Sequence, residues 1–227
     1  QRDVIFVDIS LSQVAALGGA TLLPAASRQE FEESTSADGL ERINIRDVDV
    51  AYARPGMTLA PYAKVRVDPV QVTFRKDFTP ERVGSHFKLT TSQMEKIRTE
   101  VATVVHDEFI KELARGSYVT TDMAGPDVLQ VHADITNLYV NAPDTMEPNR
   151  GDSYTMNAGE MTLVMTLADS ETGAVLARVY DRREAREIGI ITFTTSVTNR
   201  AEAADAARFW AGILRARLDA ARGAGKK

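Results

Sequence analysis

The chain has 227 residues, a net charge of −5 and no cysteine. This length allows one large domain, or one domain with an extension, that buries a core without disulfides. The lack of cysteine excludes disulfides, thiolate metal sites and cysteine nucleophiles within these residues, and the negative charge argues against a nucleic-acid-binding protein.

The N-terminal region differs in composition from the rest of the chain. Residues 14–26, VAALGGATLLPAA, are small and apolar, as in the remnant of a secretory signal. Asp8 interrupts the preceding apolar run, so the segment is too short and mixed for a spanning helix. The alternative is a structural arm that pairs with a sheet or a partner. Residues 27–39, SRQEFEESTSADG, are polar and acidic and indicate a linker or surface arm. We therefore expect an arm or signal-like extension at 1–38 and a single domain at 39–227.

The clearest strand covers Tyr62–Phe74. Apolar residues alternate along it, but their parity changes at Asp68-Pro69, where proline cannot donate to a ladder. A bulge at this point would return both apolar sets to one face. We expect Asp68 to cap local N–H groups at that bulge rather than to act as a catalytic acid.

Two long helices are predicted from apolar residues that recur every three or four positions. The first runs from a capping box at Ser92 and Glu95 to about Arg115, with Gly116 placed to end it. The second is expected to start at Asn199 as N-cap. The apolar stripe of the second helix comprises Ala203, Ala206, Ala207, Trp210, Ile213, Leu214, Leu218 and Ala221.

Further strands are predicted between these helices. Residues 128–140 alternate in polarity, with a bend or bulge at Thr136-Asn137. Residues 161–168 and 174–182 flank a short loop that contains a glycine, which is typical of a hairpin. The charged run at 181–187, DRREARE, is most simply a solvated strand end.

No motif for catalysis, cofactor binding or metal binding is present. We therefore predict no catalytic, cofactor-binding or metal-ligating residue, and no enzyme. The three histidines are far apart in the sequence and are interpreted as surface or structural residues. Two weaker sets are a cation site in the polar connection 141–157 and a soft-metal site formed by methionines, for which packing is the simpler role. Their members are Asp144, Glu147 and Asp152, and Met123, Met146, Met156, Met161 and Met165.

Several stretches in order resemble a known family. They are residues 39–42 (GLER), 52–56 (YARPG), 62–70 (YAKVRVDPV), 125–129 (GPDVL) and 169–178 (DSETGAVLAR). In this order they resemble the bacterial lipoprotein family catalogued as domain of unknown function 3313 (DUF3313), over roughly Asp38 to Ala221. The resemblance implies a protein outside the cytoplasm that is typically lipidated, and it carries no established activity. This chain departs from the family in having no cysteine for lipidation.

The order of elements predicts an α+β two-layer sandwich, with a mostly antiparallel sheet and two helices on one face. The helix at 92–115 would connect strands 62–74 and 128–140, which could then lie parallel. The expected function is that of a non-enzymatic envelope protein in the periplasm, with attachment to the outer membrane left open. It would be a structural or assembly subunit that binds a protein partner through its N-terminal arm. The alternatives are a module that binds a small or cell-wall ligand through 141–157, and a hydrolase with a non-obvious site.

Overall fold

The structure is a computed structural model, and it describes residues 27–76, 78, 90–141, 157–184 and 196–224. The helices are α1 (Arg28–Ala37), α2 (Thr91–Arg115) and α3 (Ser196–Ala224). The strands are β1 (Glu41–Ile43), β2 (Val50–Ala53), β3 (Lys64–Val67), β4 (Val72–Phe74), β5 (Val119–Thr120), β6 (Val128–Asn141), β7 (Asn157–Asp169) and β8 (Val175–Glu184).

The strands form one sheet in the order β1-β2-β8-β7-β6-β3-β5, with β4 also pairing β6. The pairs β1/β2, β2/β8, β7/β8 and β6/β7 are antiparallel. The pairs β3/β6, β4/β6 and β3/β5 are parallel. The predicted α+β class and mostly antiparallel sheet are confirmed, and so is the parallel pairing of the strands on either side of α2.

The predicted break at Asp68-Pro69 divides the strand into β3 and β4. The chain takes five steps from Val67 to Val72 beside four steps in β6, from Val131 to Ile135. One extra residue is therefore accommodated here, as in a bulge. Val65, Val67, Val70 and Val72 consequently all enter the same core.

The predicted irregularity in β6 and the predicted hairpin between β7 and β8 are also present. The register of β6 against β7 shifts between Thr136 and Tyr139, and Asn137 has a positive φ of 54°. The β7–β8 hairpin closes through a loop in which Gly173 has φ +69°. The Asp169 carboxylate accepts the N–H groups of Glu171 and Thr172 and thereby holds this loop.

The main core lies between the sheet and the pair α2 and α3. Phe109, Leu113, Trp210 and Leu218 from the helices are buried together with alternating residues of β6, β7 and β8. The prediction of two helices on one sheet face follows from their single apolar stripes, and it is confirmed.

The interpretation of residues 27–39 as a linker or surface arm is wrong. Residues 28–37 form α1, and Phe31 is only 1% exposed in a second cluster with Val50, Val164 and Tyr180. Those partners have the parity opposite to the main core, so α1 packs on the other face of the sheet. The division of the chain at residue 38 stays a prediction, because residues 1–26 lie outside the described part.

Two predicted helix starts are wrong by a few residues. The capping box of α2 is formed by Thr90 and Gln93, whose side chain and backbone groups bond reciprocally, and not by Ser92 and Glu95. Helix α3 begins at Ser196, so Asn199 lies inside its first turn. The apolar stripes are predicted correctly, because their period depends on the whole helix rather than on its cap.

Candidate functional site

A histidine and two carboxylates meet on the sheet face opposite α2 and α3. His132 and Asp134 lie two residues apart on β6, and Asp68 lies in the bulge after β3. His132 Nδ1 is 3.5 Å from Asp68 Oδ2, and Nε2 is 2.9 Å from Asp134 Oδ2. The side chains of His132 and Asp68 are each 19% exposed. The structure thus brings together two residues that are far apart in the sequence.

Both carboxylates have further partners that belong to the fold. Asp68 accepts hydrogen bonds from Gln130 Nε2 at 2.5 Å and from Arg66 Nε at 3.2 Å. Asp134 Oδ1 accepts the backbone N–H of Gln71 at 3.0 Å. The role of capping the bulge, which we predicted for Asp68, is therefore performed by Asp134 from the neighbouring strand.

The charges in this cluster reinforce each other. The Asp134 carboxylate, and then that of Asp68, raise the pKa of His132 to about 9. Burial alone would raise the pKa of Asp68, but contacts with His132, Gln130 and Arg66 outweigh burial and lower it. At neutral pH an imidazolium therefore lies between two carboxylates. A protonated imidazole cannot accept a proton, so in this state the cluster is an ionic link and not a general base.

One sequence signal could have found this cluster. Gln130, His132 and Asp134 alternate with Leu129, Val131 and Ala133, so they share one face of β6. The parallel pairing of β3 with β6 then places Asp68 beside that face. The spacing along the chain hides the contact, because it joins residues more than sixty positions apart.

A second buried carboxylate belongs to Asp181, in the run that we interpreted as a solvated strand end. That interpretation is wrong for this residue, which is 1% exposed. Its Oδ2 accepts hydrogen bonds from Trp210 Nε1 and Arg183 Nε, each at 2.7 Å, and its Oδ1 accepts the N–H of Asp49 at 3.1 Å. Burial raises the pKa of Asp181 in spite of these donors. The carboxylate joins α3 to β8 and to the chain before β2.

A third buried carboxylate joins the two long helices. Oε2 of Glu112 on α2 lies 2.6 Å from Nη1 of Arg115, and Oε1 lies 3.2 Å from Nη2 of Arg215 on α3. Its side chain is buried, whereas Arg115 is largely exposed. This arrangement fixes the contact between α2 and α3, so the carboxylate serves the packing of the helices.

An open cleft lies elsewhere, between the β1–β2 connection and α3. Its volume is about 640 Å³, and it is lined by Asn44, Arg46, Asp47, Ile213, Ala216 and Arg217. None of these residues was singled out from the sequence as a site residue. The sequence gives only a weak signal for this cleft, because its lining comes from two segments that are about 170 positions apart in the chain.

The remaining predicted sites have mixed outcomes. His106 lies on α2 with Nδ1 3.8 Å from Asp107, and His86 lies outside the described residues, as do Asp144, Glu147, Asp152, Met146 and Met156. Met161 and Met165 are core residues, which confirms packing for those two, and Met123 is exposed.

Within the described ranges, no group of three or more His, Asp or Glu side chains is arranged to hold a metal ion. Among the helices of those ranges, none combines the length and apolarity needed to cross a membrane.

The family described as "Protein of unknown function (DUF3313)" matches residues 30–214. The chain belongs to this family. The match covers α1 as well as the sheet and most of α3, so it starts earlier than the resemblance that we drew from Asp38. The family assignment made from the sequence is therefore confirmed, and the lipoprotein character of this DUF3313 chain remains a proposal.

The DUF3313 chain has distant likenesses among solved structures. A PelC dodecamer from Paraburkholderia phytofirmans that carries one substitution has 14% identity and a TM-score of 0.38, over 74% of this chain and 97% of that one. A second PelC dodecamer from the same organism has 10% identity and a TM-score of 0.35, over 73% and 98%. XCC0632 from Xanthomonas campestris, of family DUF330, has 8% identity and a TM-score of 0.35, over 74% and 93%. No curated protein matches the DUF3313 chain.

Proposed function

We propose that this DUF3313 protein is a non-enzymatic subunit of the bacterial cell envelope that binds a protein partner through residues 1–26. It would reside in the periplasm, at or near the outer membrane. The observation that carries the proposal is the firm attachment of α1 to the sheet. Because α1 is held, the arm joins the domain at a defined point, just before Arg28.

The attachment of α1 rests on its buried aromatic residue and on its C-terminal end. The ring of Phe31 lies 5.5 Å from that of Tyr180 and 6.1 Å from that of Tyr52, centroid to centroid. Just after the helix, Asp38 Oδ2 is 2.6 Å from Nη2 of Arg178 on β8. A contact made by the arm can therefore be transmitted to the sheet.

The non-enzymatic character is supported by what the buried charges do. Three buried carboxylates contact neighbouring elements. Those of Asp134 and Asp181 accept hydrogen bonds, and that of Glu112 forms an ion pair. Each of these contacts joins two parts of the fold. Groups used in this way stabilise the structure, and this role supports the non-enzymatic proposal.

The envelope location is supported by the sequence of the arm. Residues 14–26 are small and apolar, as in exported proteins, and the family resemblance implies export as well. We propose that contacts with its protein partner hold this chain near the membrane.

The arm is tested by affinity capture from a membrane extract with C-terminally tagged protein. Three chains are compared: residues 1–227, residues 27–227, and residues 1–227 with Leu22→Asp and Leu23→Asp. The truncation begins at Ser27 and not at residue 39, because removal of α1 would expose the sheet. A full chain with Ser10→Asp and Ser12→Asp adds the same charge outside the apolar run and is the matched control.

We expect the full chain and the control to retain a common partner, and the other two chains to lose it. Equal capture by all four would overturn the arm proposal. Mass analysis of the protein from its native cells adds a second test, because a mature chain that begins after Ala26 has no arm. Fractionation of those cells tests the location, and recovery in the cytoplasm would contradict it.

A further inference from the structure

We infer that β1 and the adjoining cleft form a second binding site, which takes an extended acidic segment of a partner protein by strand addition. The cleft faces α3, on the opposite side of the sheet from α1, and the site contains none of residues 1–26. It therefore goes beyond the arm proposal, and either can hold without the other.

The edge strand β1 supplies the backbone for this site. It is the last strand of the described sheet, and in the described ranges it pairs only with β2. All three of its residues are exposed, and Ile43 leaves 39% of its surface in solvent. An exposed sheet edge presents unpaired N–H and C=O groups, which an extended peptide can satisfy.

The register of β1 shows which way an added strand would direct its side chains. Ile43 pairs with Ala51, and Ala51 is buried in the main core, to which residues of α3 also belong. Residues on that face of an added strand would therefore point towards α3. The cleft begins at Asn44, directly after β1, and Ile213 and Ala216 of α3 line it.

The charge of the cleft selects an acidic segment. Arg46 and Arg217 both line it and are both exposed. Neither guanidinium group forms a hydrogen bond or ion pair in the part of the chain that the structure describes. By contrast Arg208, Arg215 and Arg222 of the same helix all contact other residues.

Two such guanidinium groups beside an apolar floor suit a carboxylate carried on an apolar strand. With Asp47 as its single acid, the lining has one net positive charge, in a protein whose net charge is −5. The region is therefore complementary to an acidic segment and less so to a basic one.

The test uses the full chain and an acetylated, fluorescently labelled peptide that alternates Val and Glu, with fluorescence anisotropy as the readout. A peptide in which Lys replaces Glu is the charge control. We expect the Glu peptide to bind, and Arg46→Gln with Arg217→Gln to weaken binding roughly tenfold or more. Lys96→Gln with Lys111→Gln is the matched control, because it removes the same charge from exposed positions of α2 that do not line the cleft. It should change the affinity by less than about twofold.

Strand addition is tested with two further Glu peptides, N-methylated at odd or at even positions. One of them should lose binding, because alternate N–H groups of an added strand face β1. The proposal is overturned if the Glu and Lys peptides bind equally, if both N-methylated peptides retain full affinity, or if self-association of the chain excludes the peptide. Sedimentation measures the self-association. The chain truncated to residues 27–227 should bind the peptide with unchanged affinity, even if it no longer captures the partner of the arm.

Discussion

The indole Nε1 of Trp210 donates a 2.7 Å hydrogen bond to Oδ2 of Asp181 across the interface between α3 and β8. Both residues are 1% exposed, so water cannot replace this donor. We expect Trp210→Phe to lower the free energy of unfolding by about 1–3 kcal/mol, since a buried carboxylate loses a partner. Urea denaturation measures the change.

A double-mutant cycle with Asp181→Ala isolates that contact, because alanine offers the indole no side-chain acceptor. The coupling energy between the two substitutions should be about 1–2 kcal/mol, because the residues are in direct contact. Additive effects would show that the cost of Trp210→Phe comes from packing alone.

Phe31 attaches α1 to the sheet, and its removal should destabilise the domain. We expect Phe31→Ala to lower the free energy of unfolding by about 3 kcal/mol, because a fully buried aromatic side chain leaves a cavity or detaches the helix. Limited proteolysis should then cut within residues 27–38. Glu33→Ala removes only an exposed contact to Gln29 and should cost less than about 0.5 kcal/mol. Equal stability of the two variants would mean that α1 is dispensable.

His132 should make stability depend on pH in the alkaline range. Its pKa is raised from 6.5 to about 9 in the folded state. The stabilising contribution of its charge is therefore complete below about pH 6.5 and is lost as the pH rises towards about 9. We expect a loss of about 2–3 kcal/mol across this window, measured by urea denaturation at a series of pH values.

The variant His132→Gln should lack this dependence between pH 6.5 and about 9. His106→Gln should keep it, because the imidazole of His106 is more exposed and its Nδ1 lies 3.8 Å from the carboxylate of Asp107. A His132→Gln profile parallel to that of the wild type would show that the ionic link to Asp68 and Asp134 contributes nothing.

Two glycines should respond in opposite ways to alanine. A Cβ at Gly116 would lie 2.8 Å from both Arg215 Cγ and Tyr118 Cε2, so Gly116→Ala should destabilise the domain by about 1 kcal/mol or more. Gly223 lies inside α3, and no atom is within 4 Å of its Cβ position. Gly223→Ala should therefore stabilise the domain by up to about 1 kcal/mol, through helix propensity. Thermal unfolding measures both variants. A shift of the melting temperature in the same direction for both would contradict these expectations.

Much of the fold follows from local patterns. The apolar stripes of α2 and α3 predicted which sides of the helices are buried, and the alternation in β6, β7 and β8 predicted the strand faces. The parity changes at Asp68-Pro69 and Thr136-Asn137 predicted the irregularities at these two positions. These features depend on neighbours within a few positions, where the periods of 3.6 and 2 are expressed directly in the sequence.

The sites could not be predicted in the same way. Residues 27–39 have too polar a composition to indicate a packed helix, and α1 packs because β2, β7 and β8 place Val50, Val164 and Tyr180 beneath Phe31. The contacts of His132 with Asp68, and of Asp181 with Trp210, exist only once distant strands and helices are adjacent. By itself the sequence determined the two long helices, the main strands, their buried faces and the family. The tertiary structure alone decided which charges meet and where an edge and a cleft stay open, because pairing between segments far apart in the chain leaves no local periodic signal.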